Sequence, residues 1–150
     1  MTDTLIAPAH ATAPVAAGAA VVVEADGRTA SNDALHVAIE EAVRRGAALR
    51  VLTTWGARHR EMYDATAVAE RDRLSAAQLE RRLARALKRS PDLDVQSIDS
   101  YSNIAEYLTA HPESAQLLVL GADHPDSPGL QAALAHSGCA VLTCDRRHRL

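Results

Sequence analysis

Residues 19–55, AAVVVEADGRTASNDALHVAIEEAVRRGAALRVLTTW, contain one complete strand, helix, strand unit. Val21, Val22 and Val23 form a continuous β-branched run, the pattern of a strand buried on both faces of a parallel sheet. Asp26-Gly27 turns the chain, and Ser31 is the predicted N-cap of a helix. Leu35, Ile39, Ala42 and Val43 recur at spacings of four, seven and eight, which gives that helix one apolar stripe and leaves Glu40, Glu41, Arg44 and Arg45 to water. Gly46 is the predicted C-terminal stop. A second strand, Leu49 to Thr54, closes the crossover in the right-handed sense that such units share.

Outward from this unit the alternation continues. Glu61 to Arg89 reads as one long helix with Met62, Val68, Leu79, Leu83 and Leu87 on its buried side. Arg81, Arg82, Arg85, Lys88 and Arg89 gather at its C-terminal end, where cations suit the helix dipole and a solvated face; the alternative is an anion or partner patch. Ser90-Pro91-Asp92 ends that helix, and Asp94 to Ile98 alternates as a short edge strand. Asn103 to Ala110 is a short helix with Ile104, Tyr107 and Leu108 on one stripe, stopped by His111-Pro112. Ala115 to Gly121 is a second strongly apolar strand, expected beside the first. A helix from Pro128 to His136 and a last strand from Ala140 to Cys144 complete five strands and four helices. Strict alternation of this kind predicts an α/β fold with a doubly wound parallel sheet.

Length and composition agree with one aliphatic domain. The chain has 150 residues, 47% of them apolar, with no Phe and only 3% aromatics, so the core is aliphatic and no aromatic platform for stacking bases is present. The net charge of -3 and a pI of about 6.1 disfavour nucleic acid as a partner of the whole domain. Two cysteines outside any paired framework fit a reducing cytoplasm. Residues 1–18 lack a basic leader, carry Asp3, and have their apolar run broken by Pro8, His10 and Pro14, so they read as neither signal peptide nor membrane span. They are expected to form a disordered arm, followed by a domain at 19–145 and a basic tail at 146–150.

The first unit carries a resemblance. Val23-Glu24-Ala25-Asp26-Gly27, the Ala- and Glu-rich segment Ala38 to Ala42, Arg44-Arg45-Gly46 and Leu49-Arg50-Val51-Leu52 resemble the universal stress protein family, whose first strand ends in an Asp-Gly-Ser-like turn. The resemblance extends over about Ala19 to Asp145 as element order. It implies a five-stranded sheet in the order 3-2-1-4-5 with helices on both faces, the adenine nucleotide alpha hydrolase-like arrangement.

In such a sheet a ligand binds at the carboxyl ends of the strands where the winding reverses, here between the first and fourth strands. In nucleotide-binding members of the family, the first-strand Asp and the end of the second strand lie near the adenosine, and a glycine-rich loop after the fourth strand wraps the phosphates. The resemblance thus marks Asp26, Thr54, Gly121 and Ser127 as a vestigial nucleotide pocket. Gly121 matches the first loop glycine, but His124 stands where the next is expected, and the loop is shorter by about seven residues. Pro125 and Pro128 remove N–H donors, while Asp123 and Asp126 bring negative charge to where phosphates would lie. Ser127 followed by Pro128 is also a good helix start.

Asp26 alone is an ordinary turn residue, and His124 reads as an exposed loop histidine with no nucleophile or second acid spaced beside it. Cys139 and Cys144, five apart in a strand, fall on opposite faces and form neither a bridge nor a metal site; with His148 the second gives two ligands at most. The expectation is a non-enzyme without metal or cofactor. It is a stress-associated regulatory or scaffolding protein that has lost ATP binding and works through contacts with a protein partner not identifiable from the sequence. The alternative is an adenine-nucleotide sensor for ATP or AMP built on Asp26. A weaker third reading is an anion or RNA contact through Arg146, Arg147, His148 and Arg149. The last strand, with Val141, Leu142, Thr143 and Cys144 as its edge, carries no charge before Asp145 and is expected to pair across a two-fold axis in a homodimer, as family members often do.

Overall fold

The computed structural model describes residues 19–27, 29–55, 64–122, 124 and 127–144. The N-terminal arm, Met62 and the basic tail lie outside the described residues. Within them the chain runs β1 (Ala20–Ala25), α1 (Thr29–Arg45), β2 (Leu49–Thr53), α2 (Ala65–Arg89), β3 (Val95–Ile98), α3 (Ile104–Ala110), β4 (Ala115–Leu120), α4 (Pro128–Ser137) and β5 (Ala140–Thr143). The five strands form one parallel sheet in the order β3-β2-β1-β4-β5. This is the order that the resemblance implies.

The valine run earns its central place by having no polar side: Val21, Val22 and Val23 are all fully buried. Because side chains alternate along a strand, Val21 and Val23 face α1 and α2, where they pack with Leu35, Ala38, Ala42, Val51 and Leu79. Val22 faces α3 and α4, packing with Leu52, Ile104, Tyr107, Leu108 and Leu130. Alanine lets α1 approach: Ala34, Ala38 and Ala42 are buried against the sheet.

The expected helix stripes need correcting in two places. Val43, assigned to the buried stripe of α1, is 46% exposed, because Ala34 and Ala38 move the contact line one residue round the helix. On α2 the stripe holds at Leu79 but fails at Leu87, which is exposed; only Leu79 and Ala86 are buried in this 25-residue helix. The helix ends are as the residues dictate. Gly46 follows α1 with φ 63°, a conformation glycine adopts without cost. Asn103 caps α3 by accepting from the Glu106 N–H, and Ser127 caps α4 by accepting from the Leu130 N–H, with Pro128 in the first turn. None of the helices among the described residues is long and apolar enough to cross a membrane.

Candidate functional site

The register Val23↔Val119 brings the carboxyl ends of β1 and β4 level, so the turn after β1 and the turn after β4 border one cleft. Asp26 and Gly27 form the first turn. Gly27 has φ 86°, the left-handed region that a side chain resists, and the Asp26 N–H points to Ser31 Oγ at 3.4 Å. Ser31 is therefore not the N-cap of α1, which begins at Thr29; it is buried within the first turn of the helix and receives the backbone of the β1 turn.

Thr54 follows β2 and is buried; its N–H donates to the Ala25 carbonyl at 3.0 Å, which ties the end of β2 to that of β1. Gly121 follows β4, and its carbonyl accepts from the His124 N–H at 3.1 Å in a tight turn. Ser127 spends its hydroxyl on the cap of α4, with 3.1 Å between Oγ and the Leu130 N–H. Asp123, Pro125 and Asp126 lie outside the described residues.

The centre of the cleft is a residue the sequence reading passed over. Glu24 sits one position before the end of β1, with its side chain 13% exposed. One carboxylate oxygen accepts from Thr54 Oγ1, and the other lies 2.9 Å from His124 Nε2. Three strands' worth of chain thus meet in one polar cluster: β1 supplies the acid, the end of β2 the hydroxyl, and the turn after β4 the imidazole. His124 is consequently not an exposed loop histidine; its side chain is 20% exposed and committed to a carboxylate 100 positions earlier in the chain. A signal for Glu24 was present. An acid inside a strand otherwise made of Ala and Val has no water on either face and requires a buried partner.

The sequence profile of the universal stress protein family matches residues 19–142. The chain belongs to the universal stress protein family. Two of the solved structures that share the fold are universal stress proteins. One is a protein from the universal stress protein family of Burkholderia pseudomallei, 23% identical with a TM-score of 0.56, the match covering 87% of this chain and 98% of that one. The other is the universal stress protein UspA of Lactobacillus plantarum, 18% identical with a TM-score of 0.53, covering 85% and 98%. No curated protein matches the sequence.

Placed on this universal stress protein sheet, the four marked residues split by role. Asp26 and Thr54 border the cleft at the ends of β1 and β2, Gly121 opens the turn that carries His124, and Ser127 is occupied as a helix cap. The cluster has an acid, a hydroxyl and an imidazole, yet the imidazole points to the acid and the hydroxyl donates to the same acid. Both contacts therefore converge on Glu24, one on each carboxylate oxygen.

The cysteines lie as their spacing requires. Cys144 is buried with the cluster under α1, Cys139 packs against the α3 and α4 side, and both are free thiols. Burial pushes both thiols above their ordinary range, and the nearby Asp33 carboxylate pushes Cys144 further the same way. Cys144 follows β5 and is buried, so of the expected edge residues it is Val141, Leu142 and Thr143 that are exposed.

Proposed function

We propose that this universal stress protein domain is a non-enzymatic, stress-associated regulatory or scaffolding protein that takes up no ATP and acts through protein contacts. The observation that carries the reading is Glu24. Its carboxylate stands at the carboxyl end of the central strand, where the fold would present a phosphate with hydrogen-bond donors, and it draws the nearby donors Thr54 and His124 to itself. A triphosphate entering the cleft meets an acidic side chain, and the hydroxyl and imidazole that could have contacted a phosphate are already bonded to that acid. Asp26, and in sequence Asp123 and Asp126, add to that repulsion. Titration calorimetry with Mg-ATP tests the reading: no saturable heat is expected, and micromolar saturable binding by the unaltered protein would overturn it.

A second reading is favoured by one feature. Asp26 and Gly27 form a glycine-bearing turn beside the Gly121 turn, at the carboxyl ends of β1 and β4 where a sheet of this kind takes a small nucleotide such as AMP. Mass spectrometry of small molecules that co-purify with the protein separates the two, since a stoichiometric nucleotide supports the sensor reading. The domain is further proposed to work as a homodimer through β5, whose Val141 and Leu142 are 43% and 37% exposed at the end of the sheet.

A further inference from the structure

A groove of about 370 Å³ runs between α1 and α2, on the face of the sheet away from the Glu24 cluster. Ile39, Val43 and Ala86 give it an apolar floor, and Arg82, Arg85 and Arg89 form one wall. These three arginines recur at i, i+3 and i+7, so they stand in a row about 10 Å long at 1.5 Å of rise per residue. None of the three has an ion pair among the described residues, whereas Arg44 on the opposite wall is engaged by Glu41 and His36 lies 3.4 Å from Glu40. The basic end of α2 is therefore divided: Arg82, Arg85 and Arg89 line the groove, and Arg81 and Lys88 do not.

We propose that this groove binds an acidic amphipathic helix of a partner protein. Carboxylates at i, i+3 or i+4, and i+7 on such a helix match the arginine row, and its apolar stripe covers the half-exposed Val43. The chain's own ends do not have this chemistry. Residues 1–18 contain a single acid, Asp3, and residues 145–150 contain Asp145 against three arginines. The inference rests on the reading that the domain works through protein contacts, but it concerns a different face of the sheet.

The probe is a fluorescent 16-residue helical peptide with Leu on one stripe and Glu beside it, paired with a second peptide in which Lys replaces every Glu. Anisotropy at low salt is expected to show saturable binding of the Glu peptide alone, weakening as salt rises. Arg82→Glu with Arg85→Glu is expected to weaken binding by about tenfold or more, since like charges now face each other. The control, Arg81→Glu with Lys88→Glu, makes the same change in net charge outside the groove and leaves binding within about twofold. Circular dichroism confirms that both double variants are folded. Equal weakening by the control, equal binding of the Lys peptide, tighter binding of a short single-stranded RNA, or no binding of the Glu peptide would each overturn the proposal. Failure here leaves the calorimetric result on ATP standing, and ATP binding in the cleft leaves the groove result standing, so the two readings fail separately.

Discussion

Glu24 shows how much one side chain constrains the central cleft. Glu24→Ala removes the acceptor for the buried Thr54 hydroxyl and for His124 at once, so it is expected to destabilise the fold by about 1–3 kcal/mol. Thermal or urea unfolding measures that loss, and Glu24→Gln, which keeps an oxygen for Thr54, should cost less. Glu41 gives a prediction with a sign. Burial raises its carboxyl, but Arg44 and Arg45 both donate to the same oxygen and the net effect holds it below the ordinary carboxylate value. A depressed folded-state value contributes stability above the unfolded value and loses it as pH falls through the folded one. Glu41→Gln should therefore lower the thermal midpoint at pH 7, with the difference closing below about pH 4. At this scale the sequence was only partly legible. Asp26, Gly27, Gly46 and Ser127 announce themselves because turns and caps are local. The Glu24 to His124 contact is not local, and no spacing rule brings together residues that far apart in the chain.

Elements were the most legible level, since periodicity and caps are properties of short windows. The strand order followed from the alternation with the resemblance, and the helix boundaries moved by only a few residues. The expected face of α3 is the buried one, with Ile104, Tyr107 and Leu108 all in the core, and what failed was part of the face of α1 and of α2. Of the expected stripe on α1, Leu35 and Ala42 are buried, Ile39 is only partly so and Val43 is exposed, because the sheet also takes Ala34 and Ala38, which lets backbone approach backbone. Ala38 has no exposed surface, so Ala38→Leu is expected to destabilise by about 1–3 kcal/mol through overpacking, whereas Val43→Thr, at a site 46% exposed, should change stability by less than about 0.5 kcal/mol. Paired denaturation curves decide whether the alanine row or the valine is the contact line. The two thiols report on the last strand in the same way. Both are held above the ordinary range by burial, so alkylation of the native protein at pH 8 should run far slower than that of the denatured chain.

At the level of the whole molecule, the sheet ends on both sides in short strands of four residues, β3 and β5. If β5 pairs across a two-fold axis, light scattering at tens of micromolar is expected to give twice the chain mass, and Val141→Lys to shift it toward the monomer by placing a charge where it would be desolvated. A monomer at that concentration for the unaltered protein would remove the dimer from the proposal. The long helix α2 has a different consequence. Leu79 and Ala86 are its only buried residues, whereas α1 presses three alanines and Leu35 into the sheet with hardly any exposed surface. The free energy needed to lift α2 away is thus a small part of the global unfolding free energy, and the helix forms its own opening unit. Its amides should exchange with deuterium well before those of β1, β4 and α1, and among the described elements it should be the first that a protease cuts in the native protein. Any partner that settles against α2 would then slow exchange along its length, making the least anchored helix the most sensitive reporter of occupancy.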